Sequence, residues 1–257
     1  MRKRLVPLLA GALVALAGLA PRAANAADPN KLWEIVHGEC VPHQLRTGKP
    51  RPCAVVDLDR GVGRGYAALK DIVGEAQYLL IPTSRISGIE SPKILAADAP
   101  NYFSLAWRWR SLFERRLPRA VPRDGISLAI NSPEGRTQNQ LHIHIDCVRP
   151  DVREILRRQR VDFGPGWRPL AARLVGHRYQ GMRVLGDHLD PDPFKLLASR
   201  MPRARARMGD YTMVVVGAEF AHRRRGFVIL ARRAKGANES GASGEELQDH
   251  TCAIARR

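Results

Sequence analysis

Long apolar runs are nearly absent from this chain. Only Leu5 to Ala20 approaches the hydrophobicity of a membrane span. It is shorter than the roughly 20 residues a helix needs to cross a bilayer, and Pro7 interrupts it. A multi-span membrane protein is thereby excluded. Aromatic residues are also few, at 6%, and no nucleic-acid-binding motif is present, which argues against a DNA or RNA partner. Low-complexity tracts and strict repeats are missing, which excludes a solenoid. No C-x-x-C pair occurs among Cys40, Cys53, Cys147 and Cys252, so a zinc-ribbon reading fails. Acids are scarce as well, with 25 Asp and Glu against 42 Lys and Arg and a formal net charge of +17. Hydrophobic residues reach 44% of 257. That is too apolar for a disordered chain and enough for a buried core.

The first 26 residues read as a secretory signal. Arg2, Lys3 and Arg4 precede the apolar run, and Ala24-Asn25-Ala26 is a small-x-small cleavage site. An uncleaved anchor is the alternative. Removal of Arg2, Lys3, Arg4 and Arg22 takes the net charge from +17 to +13. Export makes an even cysteine count suggest disulfides. Four cysteines allow three pairings. Cys40 and Cys53 flank a short loop containing Pro42, Gly48, Pro50 and Pro52, so a local bridge is the simplest, leaving Cys147 with Cys252.

Patterning predicts an α+β protein. A short helix is expected over Lys31–Cys40 and strands over Tyr66–Lys70 and Gln77–Pro82. A helix over Pro100–Leu117 carries Phe103, Leu105, Ala106, Trp109, Leu112 and Phe113 at three- and four-residue steps and stops at Pro118. Strands follow over Ile126–Asn131 and Gln140–Cys147, then a helix over Asp151–Arg160. Trp167–Gly186 reads as irregular or extended, and Pro193–Met201 as a helix. Tyr211–Val216 and Phe227–Arg232 read as a hairpin, and Lys235–Ser243 as a linker. Ser243-Gly244-Glu245-Glu246 reads as a capping box opening a last helix that holds Cys252.

The chemistry concentrates in Gln140-Leu141-His142-Ile143-His144-Ile145-Asp146. Strand alternation puts Gln140, His142, His144 and Asp146 on one face, and Leu141, Ile143 and Ile145 on the other. One imidazole can attack while its neighbour donates to an anion or a leaving oxygen. The preceding loop supplies the donors Asn131, Arg136, Thr137, Gln138 and Asn139, and Gly135 permits backbone N–H groups to turn toward an anion. Neutral donors ahead of a nucleophilic histidine suit phosphoryl or nucleotidyl transfer, which is mostly positioning and charge neutralisation. His-x-His is also a common metal half-site. However, His37, His43, His177, His188, His222 and His250 stand at no telling spacing for further ligands. A half-buried strand with satisfied histidines is the purely structural alternative.

The segment resembles the histidine-triad motif, with Gln140, His142 and His144 in the three triad positions. The resemblance makes His142 the nucleophile that becomes nucleotidylated and gives His144 the phosphate oxygens. Gln140 departs from histidine there; it can exchange hydrogen bonds but not usefully a proton. Tyr78-Leu79-Leu80-Ile81-Pro82-Thr83-Ser84-Arg85 is similar to the strand ending in Pro-x-x-His of that superfamily, with Arg85 in place of an auxiliary histidine. More specifically, Leu79–Pro92, Ser127–Ser132, Gly135–Asn139, Cys147–Arg153 and Gln248-Asp249-His250 before Cys252 resemble the bacterial CDP-diacylglycerol pyrophosphatases. The likeness runs from about Lys31 to Arg256 and includes all four cysteines.

This resemblance implies a histidine-triad-like antiparallel sheet with a packed helix over residues 27–150 and a C-terminal α+β extension over 151–257. It implies attack by His142 on the CMP phosphorus of CDP-diacylglycerol. Phosphatidate would leave against Arg85, Arg136 and backbone donors, and water would then cleave the histidine–CMP bond. Thr137, Asn139 and Asn131 would hold phosphate oxygens or orient the imidazole. No cofactor or metal is implied. A basic, exported chain also suits an anionic membrane surface at the periplasmic face of the inner membrane. Arg203, Arg205, Arg207 and Arg223-Arg224-Arg225 are candidates for that contact, or simply a solvated basic face. The rival functions are another nucleotide pyrophosphatase, a nucleotidyl transferase, or a non-catalytic module binding anionic lipid.

Overall fold

The computed structural model describes residues 28–233 and 243–256. The signal reading of residues 1–26 lies outside these, as does all but the last residue of the linker reading. The chain opens with a helical run: α1 (Lys31–Trp33), a π-helical stretch Glu34–Cys40 and α2 (Val41–Thr47). The helix therefore continues past the expected end at Cys40. Pro42 cannot donate a backbone bond, and the wider turn accommodates this, with Val41 N–H reaching back to Val36 O. Gly48, at φ +67°, ends the run.

Among the described residues nine strands follow: β1 (Val55–Asp57), β2 (Tyr66–Lys70), β3 (Tyr78–Pro82), β4 (Ile126–Ile130), β5 (Ile143–Cys147), β6 (Arg168–Pro169), β7 (Gln180–Leu185), β8 (Tyr211–Glu219) and β9 (Arg225–Arg233). They interleave with α3 (Tyr102–Glu114), α4 (Pro150–Gln159) and α5 (Pro193–Arg200). All strands join one antiparallel sheet in the order β1-β2-β3-β5-β4-β8-β9-β7-β6. The segment Trp167–Gly186 resolves into β6 and β7.

Most expected elements are present with ends moved by a few residues. Helix α3 starts at Tyr102 because Asn101 caps it, its side chain accepting from Ser104 N. Trp107, outside the expected stripe, is buried edge-on against Phe227 at 4.9 Å. Leu105, Trp109 and Leu112 are only partly buried. The expected last helix is replaced by two short 3-10 turns, Gly244–Leu247 and Ala253–Ala255. The capping box does not form: Ser243 Oγ donates to Asn131, and Glu246 pairs with the buried Arg232 at 2.9 Å and accepts from Tyr179 at 2.5 Å. A carboxylate committed to a buried guanidinium is not available to cap a helix.

One face of the sheet carries the main core. Leu80, Leu128, Ile130, Ile143, Ile145, Met213 and Ile229 pack against Phe103, Ala106 and Phe113 of α3 and Phe194 of α5. Each fully buried large apolar side chain contributes about 1.5–3 kcal/mol. The opposite face has two separate covers. Val36, Cys40 and Val41 lie over Ala67, Leu69, Leu79 and Ile81. Val152 and Leu156 of α4, with Leu247, lie over Ala129, Val214, Val216 and Val228. His144 pairs in register with Leu79 on one side and Ala129 on the other. It therefore occupies the seam between the two covers, where the sheet face is not closed by a helix.

Candidate active site

The seam is built by strand alternation. Ile143 and Ile145 point into the α3 core, so His144 and Asp146 point to the opposite face. The regular ladder begins at Ile143, not at Gln140. Ahead of it, Leu141 N–H is held by Ile86 O at 2.6 Å. The Gln140 side-chain amide donates to Pro82 O and Ser84 O at 3.0 and 2.9 Å. These bonds lock the approach to the strand onto the end of β3.

His142 Nδ1 lies 2.6 Å from Gln140 O. A carbonyl oxygen can only accept, so Nδ1 carries the proton and the neutral ring keeps its lone pair on Nε2. Burial holds the His142 pKa below the usual histidine value, partly offset by that same backbone bond. His144 sits edge-on to it, with ring centroids 4.8 Å apart. Its Nδ1 meets the Gln77 amide nitrogen at 2.6 Å, with Glu245 at 3.2 Å and Asp71 at 3.7 Å. Gln77 and Glu245 thus both engage Nδ1, leaving Nε2, which is buried and has no partner among the described residues. Burial, reinforced by His142 and His250, keeps His144 well below the usual histidine pKa. A lone pair on His142 beside the unpartnered ring nitrogen of His144 can supply a nucleophile and, when that nitrogen carries a proton, an oxyanion donor for one displacement.

The C-terminal segment supplies the rest. Cys147 at the end of β5 is disulfide-bonded to Cys252, and Cys40 to Cys53, so both expected pairs form. Asp249 N–H donates to Cys147 O, and Arg149 N–H to Leu247 O. This strap carries Gln248, whose amide donates to Ser127 O at 3.3 Å and to His144 O at 3.3 Å. It also carries His250, whose Nδ1 donates to Asp146 Oδ2 at 2.7 Å. That bond to Asp146, more than any other influence, raises the His250 pKa. Half-buried beside His144, His250 is held toward its charged form by Asp146 and faces the same seam. Glu245 is pushed up by burial and accepts from Asn131 Nδ2 at 2.5 Å.

The remaining expected residues fall into two groups. Asn131 and Gln140 are turned to the protein: Asn131 holds Glu245 and Gly244 N–H, and Gln140 braces β3. Their side chains are structural contacts of the site. Arg136 makes a paired bond to Glu90, both distances 2.7 Å, and its charge acts on His142. Arg85 donates to Asn30 and lies over Trp33 at 5.3 Å, with Nη1 buried and unpartnered. Thr137 and Asn139 stand exposed on the loop before the strand. That loop is pinned by Asn139 N–H to Pro29 O and by Gln138 to Leu32 N–H. Both arginine runs are solvent-exposed, away from these contacts.

The family model of CDP-diacylglycerol pyrophosphatase matches residues 27–256. The CDP-diacylglycerol pyrophosphatase of Yersinia pestis is 43% identical over 228 residues, covering 88% of this chain and 85% of the relative. The chain belongs to the CDP-diacylglycerol pyrophosphatase family. It is an enzyme of that general, hydrolytic kind. Within this family member, Asp71, Gln77, Glu245 and His250 join the site without having been singled out from sequence as site residues. Only His250 left a trace, in the short run before Cys252. The others become neighbours of His144 through a hairpin turn and the disulfide-tied strap, which no local spacing encodes.

The buried tautomer sets a pH expectation for this CDP-diacylglycerol pyrophosphatase family member. With His142 as the attacking base, its neutral form is the reactive one, and burial holds its pKa below the usual 6.5. The acid limb should therefore be centred below pH 6.5, as Nε2 takes a proton. A kcat/KM profile measures this. An acid limb centred above 6.5 would contradict the assignment.

Proposed function

We propose that this chain hydrolyses the diphosphate of CDP-diacylglycerol to CMP and phosphatidate through a CMP–histidine intermediate on His142. The bond from His142 Nδ1 to Gln140 O carries the proposal, because it presents the Nε2 lone pair to a phosphorus atom. Nε2 attacks the CMP phosphorus, forming a P–N bond as the anhydride P–O bond breaks and its electrons leave on phosphatidate. His144 Nε2–H and the His250 cation offset charge on the phosphoryl oxygens. Arg85, with an unused buried Nη1, and Arg136 add fixed positive charge. Thr137 and Asn139 contribute loop donors. Water then attacks the same phosphorus, the P–N electrons return to Nε2, and the proton of water goes to the released phosphate.

The finer fold reading belongs with this proposal. We take β2–β5 with α3 as a histidine-triad-like catalytic core within residues 27–150, and residues 151–257 as its extension. The site of action would be an anionic membrane surface on the periplasmic side, reached by an exported chain. Two disulfides fit an oxidising compartment. Among the described residues no helix is long and apolar enough to cross a membrane.

The test is mass spectrometry of the intact protein, quenched without acid soon after mixing with CDP-diacylglycerol in chelator. A transient gain of one CMP, with CMP and phosphatidate released, is the expected result. Turnover without any adduct in single-turnover conditions would replace the covalent route by direct attack of water. Binding of lipid with no turnover would favour a non-catalytic module.

A further inference from the structure

The turn between β2 and β3 is built in an unusual way. Turn tips normally carry Gly, Asn, Asp or Ser. Here two adjacent β-branched residues occupy the tip, Ile72 at 99% exposure and Val73 at 46%. The turn is nonetheless held firmly. Lys70 Nζ donates to Asp71 O at 2.6 Å and Gly74 O at 2.8 Å, and Asp71 Oδ1 accepts from Val73 N–H. Gly74, at φ +67°, has no room for a side chain without pressing on His250, whose backbone oxygen would lie 3.2 Å from an added Cβ. Arg116 Nε donates to Glu75 O, and Arg256 pairs with Glu75.

The tip thus presents apolar surface to water on a rigid support. It does so next to the chemistry, because the preceding residue, Asp71, lies 3.7 Å from His144. Lys70, Arg116 and Arg256 bond to the base of the turn, with exposed Arg115 beside Arg116 in sequence, and these four cations outnumber the two acids of the turn, Asp71 and Glu75. Two apolar residues projecting from a cationic collar match the depth profile of an anionic bilayer, with hydrocarbon at the tip and phosphates at the collar. The other large exposed apolar residues among those described, Leu45, Val161, Val175 and Leu185, each stand without an exposed apolar neighbour in sequence.

We infer that the Asp71–Glu75 turn is a membrane wedge: Ile72 and Val73 enter the acyl region of an anionic bilayer and bring the histidine seam to the headgroup layer. This rests on the lipid-substrate reading above. The wedge also gives that reading a route for the substrate, because the diphosphate can move into the seam while the acyl chains stay in the membrane.

The test uses the full chain and vesicles containing phosphatidylglycerol. Ile72→Trp should show a blue-shifted emission and quenching by brominated lipid beyond that of the wild-type tryptophans. Ile72→Asp/Val73→Asp should lower hydrolysis of CDP-diacylglycerol in vesicles by about tenfold or more, the scale expected for losing two buried apolar side chains. It should leave hydrolysis of a water-soluble short-chain form, below its micelle concentration, unchanged. Ile72→Leu/Val73→Leu should behave as wild type. No extra quenching at position 72, or equal losses on both substrates, would overturn the wedge. Quenching at position 72 in a protein that hydrolyses neither form would support the wedge and remove the substrate reading instead.

Discussion

His142→Ala is expected to lower kcat by about 10⁴-fold or more, the scale seen when a covalent nucleophile is removed. His144 is expected not to take over, because its Nδ1 is already engaged by Gln77 and Glu245. His144→Ala should cost less, about 10²–10³-fold, as for loss of one oxyanion donor. The ordering distinguishes the two roles. The measurement is CMP release from saturating substrate by each variant. His142→Ala should show no CMP adduct, while His144→Ala should still form one slowly. A His144 variant more damaged than the His142 variant would exchange the assignments.

The second large effect is expected from Cys147→Ser/Cys252→Ser. The bridge closes a loop with a sequence separation of 105, and removing a constraint of that size costs about 4.7 kcal/mol. Stability is only half of the expected result. The same bridge anchors the strap that delivers Gln248 to His144 O and His250 to Asp146. Well below its lowered melting temperature, the variant should therefore still be slow, with kcat reduced while the sheet signature in circular dichroism is intact. Cys40→Ser/Cys53→Ser is the comparison. Its separation is 13, its expected cost about 3 kcal/mol, and it leaves the strap untouched. Equal kcat in the two double variants would deny the strap any part in the chemistry.

The alternation of Leu141, Ile143 and Ile145 with His142, His144 and Asp146 was enough to place the histidines opposite the core, because a strand has only two faces. Helix α3 was legible for the same reason of period. The C-terminal turns were misread because Ser243-x-x-Glu246 satisfies a local rule. The pull of Arg232 on Glu246 decides the outcome, and Arg232 is 14 residues away in sequence. Asp71 and Glu245 reach His144 only after β2–β3 and the strap have docked. Asn131 was expected to hold phosphate oxygens or orient the imidazole, and Gln140 to stand at the first triad position. The partners of their side chains, Glu245 and Gly244 for Asn131 and Pro82 and Ser84 for Gln140, come from other parts of the chain and have no local signature.

The acceptor that orients His142 has an evolutionary consequence. It is a main-chain oxygen, so every amino acid at position 140 supplies it equally. On the proposed mechanism, the attacking nitrogen is set by the course of the backbone two residues upstream. A substitution at position 140 would then alter the brace to Pro82 and Ser84 and leave the attacking nitrogen unchanged.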